Sequence, residues 1–404
     1  MVLSQLLLRK RVGQAFVLLG LTTTIMCLWI AQHEWEYHSS DTHSLRRHLN
    51  GDKVREYVFV NALLDEIHGD ADIKQDSNDY NDMLQQKISD KSSEPSFQEP
   101  CPLYPSDVLV GRLAGIKECV APEELALMYP DVEVGGRVRP KNCTAAEKVA
   151  IIIPFRKRFT HLYILMNNLI PLLQRQLIDA RFFIIEQAMP TTFNRASLFN
   201  IGFLEALKFD NYDCFIFHDV DLIPLNDKNL YRCDDHPIHF AVAMDKYNYQ
   251  LPYKTYFGGV VGFTKEQYLK INGNSNLYFG WGGEDDDLYE RIINKKYEIA
   301  RPYNDVGKYD MIRHIQDSGN EDNCDRRRLL KSATERQDIE GLNTVKYQKM
   351  YINVKSHMTW INVFLDMNEI LATAPDSLRQ EMEMKHSDAR SNLCNFSRGA
   401  SIHE

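Results

Sequence analysis

The acidic motif Asp219-Val220-Asp221 directly follows an apolar run at residues 214–218. Ligand sites of open α/β sheets lie beyond the carboxyl ends of the strands, and two carboxylates at such a place suit a divalent cation that also binds phosphates. The alternative is an acidic turn that caps a helix, because a bare DxD is common. The motif therefore indicates a metal site mainly through the apolar strand that comes before it.

A second acidic motif, at residues 280–287, reads GWGGEDDD. Four adjacent carboxylates repel one another, and crowding raises the pKa of a carboxylic acid enough for it to act as a general base. The glycines permit unusual backbone angles and the close approach of a ligand, and Trp281 offers a flat apolar face on which a sugar ring can stack. The motif predicts a base beside a carbohydrate site; the alternative is a solvated acidic loop.

A third motif, Met311-Ile312-Arg313-His314, could supply further metal ligands. Imidazole is the commonest protein ligand for transition metals. In a turn or helix, Met311 and His314 would share a face because they are three residues apart. A thioether is a soft donor and disfavours Mg(II). Taken alone, this histidine would have a structural role.

Arginines follow two of the apolar runs. Arg156 and Arg158 come after residues 149–155, and Arg195 comes after residues 180–185. The guanidinium fork matches the geometry of phosphate. Two arginine-bearing loops at the same edge of a sheet as the DxD motif predict a nucleotide diphosphate site, although either cluster alone would be a solvated loop.

The elements that position these motifs are apolar runs alternating with helical patterns. Runs at residues 149–155, 180–185, 214–218 and 240–244 have strand length. The helical pattern between the first two is interrupted at Pro171. Buried strands that alternate with helices predict an α/β fold with a largely parallel sheet.

The chain has 404 residues and a formal net charge of −9. It therefore has no overall positive charge that would attract nucleic acid.

Residues 12–31 carry no charge and follow Arg9-Lys10-Arg11. They would form a helix of roughly 30 Å, the thickness of a bilayer core. The flanking charges predict a cytosolic N-terminus. A cleaved signal peptide is the alternative, but its apolar region is usually shorter. The predicted organisation is a cytoplasmic tail (1–11), a transmembrane signal-anchor (12–31), a polar stem (32–100), a lumenal catalytic domain (101–375) and a polar C-terminal tail (376–404).

The set of motifs resembles one known family. The segments FRKR, FNRA, FHDVDLIP, AMDKY, LPYKTYFGGV, GWGGEDDD and MIRH resemble, in order and spacing, the β1,4-galactosyltransferases. These are Golgi type II glycosyltransferases, and the family includes invertebrate β1,4-N-acetylgalactosaminyltransferases. The resemblance runs from about residue 101 to about residue 366. It implies a GT-A (Rossmann-like) domain, Mn(II), a UDP-sugar donor, a glycan acceptor and a single-pass Golgi membrane protein whose stem could contact Golgi partner proteins.

The resemblance also implies roles for individual residues. Asp285 would be the catalytic base, with Glu284 beside it. The implied metal ligands are Asp221, Met311 and His314. The implied donor-binding residues are Pro154, Phe155, Arg156, Arg158, Phe193, Arg195, Val220, Asp221, Lys246, Tyr256, Gly259 and Trp281. The implied acceptor-binding residues are Asp285, Asp286, Trp281, Arg326 and Leu330. The implied disulfides are Cys101–Cys143 and Cys214–Cys233, and Asn142 and Asn395 lie in N-glycosylation sequons.

Two positions bear on substrate choice. Tyr256 stands at a position where galactose-preferring members of the family carry Tyr and invertebrate N-acetylgalactosamine enzymes carry Ile or Leu. The residue type matters because a phenol fills the space that an acetamido group would need. We therefore expect transfer of galactose from UDP-galactose, in β1,4 linkage, to terminal N-acetylglucosamine or a similar sugar on glycoprotein or glycolipid glycans. A β1,4-N-acetylgalactosaminyltransferase is the alternative, and a catalytically weak membrane-tethered lectin is the alternative of another class. Arg327 stands where an acceptor-binding aromatic is expected.

Overall fold

The computed structural model describes residues 98–315 and 319–380. The predicted cytoplasmic tail, anchor and most of the stem, the tail beyond residue 380, and Asn395 lie outside the described residues. The strands are β1 (Arg137–Val138), β2 (Lys148–Phe155), β3 (Asp179–Gln187), β4 (Cys214–His218), β5 (Leu222–Pro224), β6 (Ile238–His239), β7 (Ala243–Met244), β8 (Val260–Thr264), β9 (Lys308–Met311), β10 (Gln348–Val354) and β11 (Thr359–Phe364). The α-helices are α1 (Pro122–Met128), α2 (Phe159–Arg175), α3 (Arg195–Ala206), α4 (Lys265–Lys270), α5 (Glu284–Asn294), α6 (Arg326–Lys331), α7 (Ala333–Arg336) and α8 (Met367–Leu371).

The main sheet has eight strands in the order β10-β11-β3-β2-β4-β8-β6, with β1 paired to β3. The four central strands β11, β3, β2 and β4 are parallel, whereas the strands outside them pair antiparallel. The α/β fold is therefore as predicted.

Helices cover both faces of this sheet. Along β2, Ile151 and Ile153 belong to the cluster that includes α2, and Ile152 belongs to the cluster that includes α3, because successive side chains of a strand point to opposite faces. Gly202 lets α3 approach closely, since any Cβ at this position would collide with Ile152.

The prediction that Pro171 interrupts a helix is wrong, because α2 continues through it to Arg175. Proline has no N–H to donate to the carbonyl four residues earlier. That carbonyl, of Asn167, instead accepts a hydrogen bond from the hydroxyl of Tyr129 at 3.0 Å. A side chain from outside the helix thus satisfies the acceptor that the proline leaves unpaired.

The fourth predicted strand is also only partly correct. The amides of Phe240 and Ala241 both donate to the carbonyl of Val260, so the chain leaves the main sheet here, and only Ala243–Met244 forms a strand. That strand, β7, belongs to a second sheet of order β5-β9-β7. In this sheet Leu222 pairs with Met311, which brings the end of the DxD motif beside the MIRH motif.

The predicted disulfides Cys101–Cys143 and Cys214–Cys233 are both present. Cys119 and Cys324 are disulfide-bonded as well. Gln98, Cys143 and Asp179 line one cavity, so the Cys101–Cys143 bridge lies near the amino ends of β2 and β3. Within residues 98–315 and 319–380, no helix is both long and apolar enough to cross a bilayer.

Candidate active site

The GWGGEDDD motif forms a glycine loop that leads directly into α5. Gly280, Gly282 and Gly283 have φ values of +88°, +103° and +92°, a region that favours glycine. The loop is fixed at its start, because the amide of Gly280 donates to the carbonyl of Phe193 at 2.8 Å. Its four carboxylates occupy the first turn of α5, where the helix dipole stabilises negative charge.

Asp285 is the most strongly perturbed carboxyl group of this turn. Burial, together with the negative charges of Glu284 and Asp286, raises its pKa to about 8. Glu284 is itself only 14% exposed, so the motif is not a solvated acidic loop. The structure thus supplies a carboxyl group that exchanges its proton near neutral pH, the property that general-base chemistry requires.

Arg195 connects this turn to the DxD motif. Its Nε lies 2.6 Å from Asp219 Oδ1, and its Nη1 lies 3.6 Å from Glu284 Oε1. Asn194 places it, because the Asn194 side chain caps α3 by accepting from the amide of Ser197 at 2.9 Å. Burial raises the pKa of Asp219 to about 6, although Arg195 opposes the shift. The two acidic motifs therefore share the positive charge of Arg195.

The candidate metal ligands meet at the second sheet. His314 Nε2 lies 3.0 Å from Asp221 Oδ2, and Met311 is in register with Leu222, the residue after Asp221. Burial opposes ionisation of Asp221, but the hydrogen bond from His314 and the electrostatic interactions with His314 and Arg158 together outweigh it and lower the pKa of Asp221. Within the described ranges no three His, Cys, Asp or Glu side chains cluster as a metal site. The set that fits a divalent cation is therefore one carboxylate and one imidazole, with the thioether of Met311 on the neighbouring strand.

Two basic side chains flank this pair. Arg158 Nη2 lies 2.8 Å from His314 Nδ1, and the ring of His161 stands 5.7 Å from that of His314. His161, whose electrostatic interaction with Asp221 helps to lower the pKa of that carboxyl group, was missed by the sequence reasoning. The sequence could have indicated His161, because it lies three residues after Arg158 and extends the basic cluster by one helical turn.

The other predicted donor arginine, Arg156, is buried. Its guanidinium donates to the carbonyls of Thr191 at 2.8 Å and Gly319 at 2.6 Å and lies 4.9 Å from the ring of Phe193. Of the three predicted arginines, Arg158 is thus the one beside the Asp221–His314 pair. The remaining predicted donor residues lie at the end of β2 (Pro154, Phe155), within the DxD motif (Val220), on an exposed turn (Lys246) and next to β8 (Gly259).

Tyr256 and Asp285 meet at a glycine that the sequence reasoning missed. A Cβ on Gly258 would lie 2.7 Å from both Asp285 Oδ2 and Tyr256 Oη. Burial, followed by the charge of Asp285, raises the pKa of Tyr256 well above its ordinary value, so the phenol stays protonated. A second missed residue, Tyr253, donates from its hydroxyl to Asp286 at 2.9 Å. Both contacts join a loop to a distant helix, which local sequence patterns do not reveal.

Two of the predicted acceptor residues, Trp281 and Arg326, form a partly exposed rim at the glycine loop. Trp281 is 52% exposed, and the guanidinium of Arg326 lies 5.8 Å from its ring. The Arg326 side chain also covers Gly282, where a Cβ would lie 3.0 Å from its Nη1. Arg327 is exposed and Leu330 half-buried on the same helix, α6.

Beneath the first turn of α5 lies a cluster of four buried charges: Asp287, Arg291, Arg336 and Glu340. Asp287 pairs with Arg291 at 2.7 Å and with Arg336, and Glu340 pairs with Arg291 at 3.1 Å and Arg336 at 2.8 Å. All four side chains are at most 1% exposed. The cluster ties α5 to α7, so the fourth carboxylate of the acidic motif has a structural role.

Two family models match this chain. The N-terminal region of glycosyl transferase group 7 matches residues 101–234, and the N-terminal domain of galactosyltransferase matches residues 238–315. Together with the α/β core, these matches place the chain in the class of glycosyltransferases.

Several known proteins are similar to this chain. A β-N-acetyl-D-glucosaminide β-1,4-N-acetylglucosaminyltransferase of Lymnaea stagnalis is 41% identical over 332 residues, which cover 69% of this chain and 68% of that protein. Human β-1,4-galactosyltransferase 4 is 46% identical over 53% of this chain and 62% of its own length. A solved structure of Drosophila β1,4-galactosyltransferase 7 with manganese, UDP-Gal and xylobiose is 31% identical, covers 55% of this chain and 95% of its own, and has a TM-score of 0.45. The chain belongs to the β1,4-galactosyltransferase family.

Proposed function

We propose that this chain transfers galactose from UDP-galactose to the 4-hydroxyl of a terminal N-acetylglucosamine, or a similar sugar, on glycoprotein or glycolipid glycans. The observation that carries the proposal is the environment of Asp285, a carboxyl group with a pKa of about 8 that meets Tyr256 at Gly258. A base of this kind is matched to deprotonating a sugar hydroxyl near neutral pH. The relatives named as β-1,4-galactosyltransferases support the linkage.

In the proposed reaction, the Asp285 carboxylate takes the proton from the acceptor hydroxyl as that oxygen bonds to the anomeric carbon. The bond between this carbon and the β-phosphate oxygen breaks, and UDP departs with the bonding electron pair. One displacement on the face opposite the leaving group converts the α-linked donor into a β-linked product. The proton remains on Asp285 until solvent removes it.

The proposed cofactor is Mn(II), held by Asp221, His314 and Met311. When bound, such an ion neutralises negative charge on the diphosphate leaving group. A soft thioether beside harder donors favours Mn(II) over Mg(II). Arg158 and His161 border the same pair, so Arg158 adds positive charge on the side where the diphosphate would lie.

Tyr256 supports UDP-galactose as the donor, because its half-buried ring would fill space that a 2-acetamido group needs. A specific observation favours a second candidate, a UDP-N-acetylhexosamine donor. The relative from Lymnaea stagnalis is named as an N-acetylglucosaminyltransferase and is similar over 69% of this chain. The donor therefore has to be measured separately from the reaction type.

We also propose that the enzyme is a single-pass type II protein of the Golgi membrane with a lumenal catalytic domain. The support is the uncharged run at residues 12–31, with basic residues before it and acidic residues after it. The proposed organisation keeps the stem at 32–100, the catalytic domain at 101–375 and the tail at 376–404. Asn142, a proposed glycosylation site, is exposed.

The test is a donor-by-acceptor screen with the full chain in detergent and Mn(II). UDP-galactose, UDP-N-acetylgalactosamine and UDP-N-acetylglucosamine are each paired with a β-linked N-acetylglucosaminide, and product linkage is read by NMR. We expect a β1,4-galactosyl product that disappears in the Asp285→Asn control. Binding of sugar without transfer from any donor would instead favour the lectin alternative.

A further inference from the structure

One arginine and one histidine hold the loop that carries Tyr256. Arg301 Nη2 donates to the carbonyls of Lys254 at 3.1 Å and Tyr256 at 3.0 Å. His239 Nε2 lies 2.9 Å from the carbonyl of Gly258. Three carbonyl groups of a five-residue stretch are thus bound by two side chains from outside the loop.

The side chains of Arg301 and His239 also form a hydrogen bond with each other. A carbonyl oxygen can only accept, so His239 Nε2 carries the proton that it shares with Gly258. His239 Nδ1 is then an acceptor, and Arg301 Nε lies 3.4 Å from it. This arrangement requires a neutral imidazole, and burial, followed by the charge of Arg301, lowers the pKa of His239 to about 3.

The pair is built on the main sheet rather than on another loop. His239 is the last residue of β6 and pairs with Val261 of β8. Its amide donates to the carbonyl of Ala300 at 2.9 Å, and the amide of Ala300 donates to the carbonyl of Pro237 at 2.9 Å. Arg301 therefore follows a segment that is hydrogen-bonded to the sheet edge.

The aromatic neighbours of Tyr256 are weaker restraints. The ring of Tyr253, 5.5 Å away, lies on the same loop and would move with it. The ring of Tyr247 is 6.1 Å away. A phenol excludes a larger sugar only if the backbone that carries it cannot retreat, and the Arg301–His239 pair supplies that restraint.

We propose that Arg301 and His239, together called the clamp, are positioning residues for donor specificity. They hold Tyr256 where it excludes a donor with a 2-acetamido group. This inference rests on the function proposed above, in which Tyr256 faces C2 of the donor sugar. In this proposal both side chains act through the loop backbone, by their hydrogen bonds to the carbonyls of Lys254, Tyr256 and Gly258. Loss of the clamp should relax donor choice more than it lowers galactose transfer.

The experiment measures kcat/KM of the full chain for UDP-galactose and UDP-N-acetylgalactosamine with one acceptor. We expect Arg301→Met to lower the galactose preference by about tenfold, within the range of discrimination that one pocket contact supplies. His239→Gln tests the other half of the clamp and also serves if Arg301→Met fails to fold. Arg139→Met is the matched control, because Arg139 is an exposed arginine whose partner is Glu133. Its donor ratio should equal that of the unmodified chain.

Hydrogen exchange at residues 253–259 gives a second readout that needs no turnover. Exchange should accelerate in Arg301→Met and stay unchanged in Arg139→Met. If Tyr256→Leu changes the donor ratio while Arg301→Met and His239→Gln leave ratio and exchange as they were, the clamp proposal is overturned. If Tyr256→Leu also leaves the ratio unchanged, the assignment of Tyr256 to the donor site is wrong and the specificity role of the clamp falls with it.

Discussion

The imidazole of His314 lies 3.0 Å from the carboxylate of Asp221, although 93 residues separate them in the chain. The contact exists because the short strands β5 and β9 pair antiparallel and place Leu222 opposite Met311. The carbonyl of Asp221 also accepts from the amide of Ile312 at 2.7 Å. The backbone of the second sheet thus aligns the DxD and MIRH motifs before any cation binds.

The first prediction concerns the metal. Asp221→Asn and His314→Ala should each weaken Mn(II) binding, measured by electron paramagnetic resonance titration, and lower transfer by orders of magnitude, because each removes one of the few donors. Asp310→Asn is the control, since Asp310 is on the same strand as Met311 but pairs with Lys117 at 2.7 Å. Met311→His should improve activity with Mg(II), because a harder ligand replaces a soft one. Full activity in chelator would contradict the assignment.

The second prediction concerns the base. Asp285→Asn should lower kcat by roughly 10²–10⁴-fold, the usual contribution of general-base help, while UDP and Mn(II) still bind. Since the pKa of Asp285 is raised to about 8, the carboxylate forms as the pH rises, so kcat/KM should increase up to about pH 8 and then level off. Near-normal turnover of Asp285→Asn would transfer the role to Glu284.

The same shift has a consequence for stability. Between its ordinary pKa of 3.8 and about 8, Asp285 binds a proton in the folded protein that the unfolded chain has released. Its contribution to the free energy of unfolding therefore decreases as the pH rises through this window. Denaturant titrations should show a weaker decrease with pH in Asp285→Asn than in the unmodified chain.

The third prediction concerns Gly258. Gly258→Ala should reduce transfer severely, because the new methyl group would press on Asp285 Oδ2 and Tyr256 Oη, each 2.7 Å away. Overpacking of this kind typically costs about 1–3 kcal/mol, so melting temperature is measured alongside. The double variant with Tyr256→Phe loses the hydroxyl oxygen but keeps the ring carbon Cζ, which would lie 2.8 Å from the new methyl group, so it should recover only part of the stability. A fully active, normally stable Gly258→Ala would contradict this geometry.

The fourth prediction concerns the buried charges beneath α5. Arg336→Met should lower the free energy of unfolding by about 3–5 kcal/mol, because it leaves Asp287 and Glu340 buried with fewer partners. The comparison is Asp338→Asn, which breaks a pair with Lys295 in which the aspartate is 72% exposed; the expected loss there is below about 1 kcal/mol. Equal losses in urea titrations would argue against a special role for the cluster.

The fifth prediction concerns the acceptor rim. Arg327 is exposed beside Arg326, where an aromatic residue is expected from the family pattern. Arg327→Phe should lower KM for a neutral N-acetylglucosaminide, because an aromatic face stacks on a sugar ring, with little change in KM for the donor. Arg328→Gln on the same helix, where the arginine pairs with Asp325 at 2.9 Å, is the control. An unchanged acceptor KM would remove Arg327 from the rim.

The sequence predicted the elements whose pattern is local. The apolar runs identified β2, β3 and β4, because central strands buried on both faces are continuously apolar. The second sheet was not predicted, because β5, β7 and β9 have two to four residues each. Such strands are too short to show an alternation of apolar and polar residues. It depends on pairing between residues that are far apart in the chain.

The site divides in the same way. Asp221, Asp285 and His314 could be proposed as site residues because their residue types carry their chemistry, and the structure places Asp221 and His314 in contact. Gly258 and Arg301 could not, because a glycine and an exposed arginine have no signature until the loop that they contact is in place. Contacts between distant segments therefore account for most of what the sequence left unpredicted.

The Cys101–Cys143 bridge marks the end of the domain at which the enzyme could be attached to a solid support, because it lies near the amino ends of β2 and β3. Gln98 shares a cavity with Asp179, the first residue of β3, whereas the candidate active site lies past the last residues of the parallel strands. A strand of eight residues such as β2 spans about 25 Å. An enzyme immobilised through residue 98 would therefore present its catalytic edge away from the surface, leaving room for a bulky glycan to enter.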